Sequence, residues 1–287
     1  MMLLGIIGFG VGLLALIAAS IFDIKTREVP DWLNFSLIAF AIGSSLILSI
    51  YHGYTTIFFN SLIGMATGLA IGLLMFYTGQ WGGGDSKLII GLGGIIGLGI
   101  SEIKHGVPLL LVFVVNILLV GAIYGLGFSL VKALTNFKHF KEAAEKKLRS
   151  KGVLVIRVIL LSLAVLAFIF LLATKTLESA ILFGFCLSLF LFFYLWAFVN
   201  VVEKVCMIKK IKLSKLTEGD WIVGEVMKNK KVILKPSKTG VTLKDMALLK
   251  KKNIREITIK IGIPFVPSFL IAYILTFILG NWLVYLI

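Results

Sequence analysis

The sequence predicts an all-α polytopic membrane protein with about eight transmembrane helices and a small cytoplasmic α+β insert. Hydrophobic residues make up 59% of the 287-residue chain, and the mean hydropathy is +1.03. A soluble domain is usually close to half apolar, so this composition is typical of a membrane protein. Long apolar stretches also recur, most of them near the ~20 residues that cross a bilayer as a helix. A polar region at 204–262 interrupts this pattern.

Eight apolar segments are the candidate transmembrane helices. They lie at residues 2–22, 33–51, 56–78, 86–100, 108–131, 153–173, 178–202 and 264–286. The fourth segment, SKLIIGLGGIIGLGI, is short and rich in glycine. The first segment could instead be a signal peptide with a cleavage site at AAS before Ile21. It has no positively charged n-region and is long for an h-region, so a retained helix is expected.

The distribution of basic residues predicts how the chain crosses the membrane. The net charge is +15, and with eight spans 27 of the 29 Lys and Arg residues lie on one side. Only Lys104 and Lys175 lie on the other side. The positive-inside rule therefore places the basic connections in the cytoplasm and both termini outside the cell membrane. Nucleic-acid binding would also suit a basic chain, but this distribution makes the lipid bilayer the expected partner and predicts no nucleic acid.

Neither a metal nor a cofactor is expected from the sequence. The chain has two cysteines, Cys186 and Cys206, no CxxC pair, and three scattered histidines. This set predicts neither a disulfide scaffold nor a structural zinc site. The stretch GGGDSK does not match the Walker pattern because it contains no Gly-Lys pair, so nucleotide binding is not predicted.

The apolar and polar stretches divide the chain into five predicted regions. They are 1–133 with spans one to five, 134–152 as a basic cytoplasmic connector, 153–203 with spans six and seven, 204–262 as the insert, and 263–287 with the last span. In the insert, DWIVGEVMKNKKVILKP predicts two short strands around a turn at Lys228–Lys230. The stretch VTLKDMALLKKKN predicts a helix capped by Thr242, with Asp245 three residues later. IREITIKI predicts a further strand that leads into the last span.

Glycine spacing predicts close packing of the third and fourth spans. Gly64, Gly68 and Gly72 recur at every fourth residue and so share one helix face, and Gly93 and Gly97 repeat the spacing in the fourth span. Small residues allow neighbouring helices to approach closely. The two helices would hold the connecting GQWGGGD stretch inside the bundle rather than against lipid.

Two aspartates stand at the boundaries of apolar segments. Asp23 follows the first span and Asp85 opens the fourth, 62 residues later. Two spans lie between them, so the chain returns to the same side and both acids are expected on one membrane face at similar depth. Each has an ordinary alternative explanation, because Asp23 could remain hydrated at a helix end and Asp85 could cap the fourth helix. An acid near hydrocarbon is costly, however, and functional pairing explains both.

A pair of nearby carboxylates can hydrolyse a peptide bond. Like charges at short range do not both ionise readily, so the pair shares a proton. The ionised member can take a proton from water while the protonated member polarises the substrate carbonyl. Gly82, Gly83 and Gly84 would let the backbone approach a substrate strand without an obstructing Cβ. We therefore take Asp23 and Asp85 as the candidate catalytic pair.

These motifs resemble those of one protease family. GGGD at 82–85 matches the GxGD signature of intramembrane aspartyl proteases, and FDIKTREVPDWLN resembles the first catalytic motif of type IV prepilin peptidases. The closing GIPFVPSFLIAYILT resembles the archaeal branch, the preflagellin and prepilin peptidases. The resemblance covers about 20–100 and 262–277. Presenilin-type proteases match less well, since their aspartates lie later and their Pro-Ala-Leu motif is absent here.

The resemblance implies a membrane peptidase that cuts short basic leader peptides from pilin-like or archaellin-like precursors on the cytoplasmic side. Region 1–133 would be its catalytic core, with Asp23 and Asp85 as the catalytic residues. The CxxC motifs of bacterial relatives are absent, which argues against the N-terminal methylation that those relatives perform.

Three charged residues near the aspartates are candidates for substrate binding. Glu28 and Asp31 could receive a basic residue of the leader, or they could only balance nearby cations. Lys87 could steady the carboxylates, or its ammonium group could extend to lipid headgroups. A different class of function also remains open, a proton- or cation-coupled transporter that uses both aspartates. Against it, the later spans carry no acids at their centres and no inverted repeat is evident.

Overall fold

The computed structural model describes residues 2–99, 106–228, 231–237 and 240–285. Within these residues the chain is mainly helical, which confirms the predicted polytopic all-helical class with a small strand-containing insert. The helices are α1 (Met2–Thr26), α2 (Asp31–His52), α3 (Thr56–Tyr77), α4 (Gly83–Ile96), α5 (Leu109–Thr135), α6 (Phe137–Leu148), α7 (Lys151–Thr174), α8 (Leu177–Val201), α9 (Leu243–Lys251) and α10 (Val266–Leu279).

Six helices in the described residues are long and apolar enough to cross a membrane, whereas about eight spans were expected. The six are α1, α2, α3, α5, α7 and α8. The fourth and eighth candidate segments form α4 and α10, which have 14 residues each. Each is therefore about 21 Å long, less than the ~30 Å hydrocarbon layer. Both helices end where a glycine, Gly97 or Gly280, adopts a positive φ of 74° or 59°.

The contacts group the chain into two compact units. The first unit comprises residues 1–125 and 210–287, and the second comprises residues 126–209. In the first unit, α1, α2, α4, α5 and α10 share one apolar core. Its largest fully buried side chains include Tyr273, Phe113, Phe269 and Leu16. The Tyr273 ring stacks on Phe9 at a centroid distance of 5.4 Å.

The predicted glycine contacts between α3 and α4 are present. A Cβ on Gly68 would lie 2.5 Å from the Ile89 carbonyl oxygen, and a Cβ on Gly64 would collide with the Gly93 carbonyl. The two backbones therefore touch directly, as small-residue packing in membranes allows. Gly97 ends α4 and also lies against α3, since a Cβ on Gly64 would be 2.9 Å from its Cα. Close contact along α3 holds the start of α4 in place.

The insert forms two small sheets and one helix. A three-stranded sheet has the order β1-β5-β2, and β3 pairs with β4 as a hairpin. The strands are β1 (Ile208–Lys212), β2 (Trp221–Ile222), β3 (Val226–Lys228), β4 (Lys231–Leu234) and β5 (Glu256–Lys260). The hairpin, α9 and β5 confirm the predicted elements, although residues 229–230 of the turn lie outside the described residues. Two features were not expected from the sequence: β1, and the division of the first predicted strand into β2 and β3 around Gly224, whose φ is 75°.

The capping of α9 agrees with the prediction in detail. Thr242 Oγ1 accepts the Asp245 N–H at 3.2 Å, and Asp245 Oδ2 accepts the Thr242 N–H at 2.9 Å. Each side chain thus satisfies a backbone donor that the first turn of a helix leaves without a partner.

The second unit contains α6 and the long apolar helices α7 and α8. The predicted basic connector is helical over α6, and none of the residues in α6 is buried. Lys147 Nζ lies 5.0 Å from the centre of the Trp196 ring, so one basic side chain of α6 contacts α8. Lys104, which the topology prediction used, lies outside the described residues.

Candidate active site

The two candidate aspartates come from α1 and α4 and lie near each other. Asp23 is on the last turn of α1 and is only 5% exposed. Asp85 is on the first turn of α4 and is partly buried. The two carboxyl groups interact electrostatically. The fold therefore brings together the two acids that the sequence analysis paired.

The carboxylate of Asp23 is held by a distant part of the chain. Its Oδ2 accepts the backbone N–H of Val266, the first residue of α10, at 2.9 Å. This N–H belongs to the first turn of a helix, where backbone donors have no partner within the helix. The positive end of the helix dipole also favours a negative charge there. Asp23 is thus both a buried acid and the acceptor at the start of α10.

Asp85 is held within its own helix. Its Oδ2 accepts the Gly82 N–H at 3.2 Å, so the helix-cap explanation accounts for this contact. A carboxylate has room for about four hydrogen bonds. One contact to Gly82 therefore leaves acceptor capacity for a water molecule or a substrate. The cap and a chemical role are compatible.

The glycine triplet divides into an open part and a crowded part. Gly82 and Gly83 are exposed, whereas a Cβ on Gly84 would lie 3.1 Å from the Cβ of Val29. Asn34 is fully buried and donates from Nδ2 to the Gly84 carbonyl at 3.3 Å. Position 84 therefore has little room for a larger residue. The open surface that a substrate backbone could approach lies at the first two glycines.

Two of the three candidate substrate-binding residues contact each other. Lys87 Nζ and Asp31 Oδ1 form an ion pair at 2.6 Å. Lys87 also lies over the Phe35 ring, 5.6 Å from its centre. Glu28 is exposed and has no ion pair in the part of the chain that the structure describes. Of the two acids considered for binding a basic residue of the leader, Glu28 is the one whose carboxylate is not in an ion pair among the described residues.

Three side chains at this site were not among the candidates from the sequence. Arg27 and Tyr124 both interact electrostatically with Asp23. Trp81 is only 4% exposed and packs on Phe269 at a centroid distance of 4.9 Å. A signal for Tyr124 was present in the sequence, since a phenolic hydroxyl inside an apolar span needs a polar partner. Among the described residues, no group of three or more His, Cys, Asp or Glu side chains could hold a metal ion.

Comparison with known proteins identifies relatives of this region. A sequence model of the type IV leader peptidase family matches residues 10–126, which include both aspartates. The chain is 37% identical over 97 residues to a preflagellin peptidase of Methanocaldococcus jannaschii, covering 31% of this chain and 38% of that protein. It is 39% identical over 90 residues to a preflagellin peptidase of Methanococcus maripaludis, covering 30% of this chain and 37% of that protein.

A third similar protein is a preflagellin peptidase of Methanococcus voltae. It is 38% identical over 96 residues, covering 31% of this chain and 38% of the relative. The matched part thus spans less than two fifths of the length of each of these relatives. The chain is a multi-pass membrane protein, and its residues 10–126 match the sequence model of the type IV leader peptidase family.

Proposed function

We propose that this protein is a membrane-embedded aspartyl endopeptidase that removes short basic leader peptides from prepilin-like or preflagellin precursors. One observation carries the proposal: Asp23 and Asp85, from two different helices, interact electrostatically within the segment that matches the leader peptidase family. The names of the three relatives supply the substrate class, since all are preflagellin peptidases.

The arrangement supports a mechanism without a covalent intermediate. A water molecule between the two carboxyl groups is the nucleophile, and the ionised carboxylate takes a proton from it as it attacks the peptide carbonyl. The protonated carboxyl donates to the carbonyl oxygen, where negative charge develops. The tetrahedral intermediate then collapses and its C–N bond breaks, as the carboxyl that took the proton from water donates it to the leaving amine and the other carboxyl regains its own proton. Two acids that share one proton can perform both tasks because their mutual repulsion keeps one of them neutral.

The substrate class agrees with the proposed topology. A precursor with a basic leader and an apolar helix inserts with its leader in the cytoplasm. Its cleavage site then lies at the cytoplasmic boundary of the membrane, where Asp23 and Asp85 are proposed to act. Glu28 is exposed near this position and supplies an acidic group for a Lys or Arg of the leader.

Labelling with a membrane-impermeant thiol reagent tests the topology. Single cysteines at Ser150 and Thr176 would be introduced into a variant in which Cys186 and Cys206 are serines. This topology counts the fourth and eighth apolar segments as crossings, although α4 and α10 themselves are short. With both termini external, we expect labelling of position 176 but not of position 150 from outside intact cells. Equal labelling of both positions would contradict the topology.

The transporter alternative is not supported, because the family model and all three relatives are peptidases. Proteoliposomes that contain the purified protein and a purified precursor test the proposed function directly. We expect a shortened precursor with wild-type protein, and none with Asp23→Asn. Asp245→Asn is the matched control, since it makes the same change in the insert and leaves a side chain that can still cap α9. A precursor that remains intact with inserted, folded wild-type protein would contradict the proposed function.

A further inference from the structure

Asp23, on the last turn of α1, and Arg27, the residue that follows the helix, both contact one short segment near the end of the chain. Asp23 Oδ2 accepts the Val266 N–H at 2.9 Å, and Arg27 Nη1 donates to the Gly262 carbonyl at 3.1 Å. Asp23 and Arg27, at the end of α1 and just after it, therefore hold the two ends of residues 262–266. We call these five residues the strap.

The strap is also held along its length. Its residues before Val266 form neither helix nor strand, and Pro264 has a fixed φ. The Phe265 ring fills the space beside Gly121 of α5, where a Cβ would collide with it. The same ring lies 6.3 Å, centre to centre, from Trp81, the residue before the glycine triplet. The strap thus touches α1, α5 and the segment that leads to Asp85.

The backbone at Arg27 is unusual for a residue other than glycine. Its φ is 64°, in the left-handed region, and its N–H donates to the Asp23 carbonyl at 2.9 Å. Residues held in such conformations cost free energy and persist where surrounding contacts maintain them, often at functional sites. This conformation ends α1 one turn after Asp23. The Arg27 side chain is thereby fixed between the helix end and the strap.

We propose that the strap positions Asp23 for catalysis and that Arg27 is the positioning residue that anchors the strap. This inference rests on the proposed peptidase function. A carboxylate can rotate about its side-chain bonds, and the Val266 N–H restricts one of its oxygens to a single place. Arg27 keeps the other end of the strap from moving away. Because only Ile261 separates β5 from the strap, the insert is connected to the proposed catalytic acid through a short stretch of chain.

Substitutions at Arg27 test the proposal through the separate effects on kcat and KM. We expect Arg27→Gln to lower kcat for a precursor by about 10- to 100-fold with KM almost unchanged, since small misplacements of a reacting group can cost about 10²-fold. Arg27→Lys should recover much of kcat, because an ammonium group can still donate to one carbonyl. Lys25→Gln is the matched control, since it removes a positive charge from an exposed residue two positions away, and it should behave as wild type.

Hydrogen exchange supplies a second readout that does not require cleavage. We expect the peptide that contains Val266 to exchange faster in Arg27→Gln than in wild type, with no change in Lys25→Gln. A role only in overall stability would instead speed exchange throughout α1 and α10. If wild-type protein cuts no precursor, the proposed peptidase function is wrong, and so is the catalytic role of the strap. The hydrogen-exchange measurement would still show whether Arg27 anchors the strap. Wild-type kcat in Arg27→Gln, an equal loss in Lys25→Gln, or unchanged exchange at Val266 would each overturn the proposal.

Discussion

Acidic side chains have opposite environments in the helical core around Asp23 and in the insert around Glu256. Asp23 is only 5% exposed and is bound by a backbone N–H. Glu256 is exposed and pairs with Lys210, whose Nζ lies 2.6 Å from Oε2. Water and salt screen the exposed pair, whereas a buried carboxylate depends on fixed protein groups that replace water. The comparison shows that only the buried acid depends on the exact placement of distant parts of the chain.

The two regions also differ in how their backbones pack. In the core, Gly64, Gly68 and Gly72 bring α3 against the backbone of α4. In the insert, apolar side chains such as Leu249 and Ile257 fill a small separate cluster. Backbone contact leaves no side chain that could adjust, so the start of α4 is held more rigidly than elements packed through flexible side chains. Rigid packing suits the helix that carries Asp85.

The largest expected effect comes from the buried pair. Either Asp23→Asn or Asp85→Asn should abolish cleavage, because an amide can neither take the proton nor share it. The two acids are proposed to act as one unit, so the double variant should be no worse than either single variant. Ser86→Ala is the local control and should retain most activity, since no base is evident to activate that serine. Cleavage assays, with each variant confirmed to be present in the membrane, measure these activities. Efficient cleavage by either asparagine variant would contradict the aspartyl mechanism and leave Asp85 with only the function of a helix cap.

A second prediction tests the rigid contact between α3 and α4. Gly68→Ala should destabilise the protein by about 1–3 kcal/mol, because its Cβ would lie 2.5 Å from the Ile89 carbonyl oxygen. Gly43→Ala on α2 is the control, since a Cβ there meets no atom within 4 Å. It should leave stability unchanged or raise it by up to about 1 kcal/mol. Thermal unfolding in detergent measures the stability of both variants. Equal melting temperatures for Gly68→Ala and Gly43→Ala would show that α3 and α4 have room to adjust.

A third prediction concerns Tyr124, whose hydroxyl interacts electrostatically with Asp23. Tyr124→Phe should lower the cleavage rate severalfold, because it removes a polar group that interacts with the proposed catalytic carboxylate. The hydroxyl is partly buried and interacts with both Asp23 and Arg27. Tyr194→Phe, which makes the same change on α8, should have no effect. Equal rates for the two variants and wild type would remove Tyr124 from the site.

A smaller effect is expected where acids near the site are exposed. Reversing Glu28 and Asp31 to lysine should weaken cleavage of a basic leader a few-fold, because exposed ion pairs contribute only about 0–1 kcal/mol. A leader with acidic residues should restore part of the rate. Glu28→Lys alone should account for most of the effect, since Asp31 is paired with Lys87. If exchanging the leader makes no difference to the double variant, these acids are only structural.

The smallest effect is expected in the insert. The hydrogen bond and charge of Lys210 lower the pKa of Glu256 below its ordinary value. The stability from this pair is therefore present above the unfolded-state pKa and is lost as pH falls through the folded-state pKa. Hydrogen exchange of β5 should differ slightly between wild type and Glu256→Gln at neutral pH and low salt. The difference in exchange should disappear in acid. A difference that grows as the pH falls would contradict the predicted direction of the pH dependence.

Much of the architecture was predictable because it depends on local composition. The apolar segments predicted the helical membrane class, and Thr242 with Asp245 predicted the start of α9. The lengths of α4 and α10 were not predictable in this way. Apolar residues continue past the end of each helix, and the chain leaves the helix where Gly97 or Gly280 takes a positive φ. A glycine inside an apolar run does not by itself show which conformation it will adopt.

The sequence by itself determined the type of protein, and it predicted two boundary acids on one membrane face. An even number of crossings between Asp23 and Asp85 was enough for that last deduction. Only the tertiary structure decided what surrounds each acid. The Val266 N–H reaches Asp23 across 243 positions of the chain, and Lys87 contacts Asp31 rather than the acids it was considered for. Such contacts depend on how whole helices pack, and no local pattern of residues encodes them.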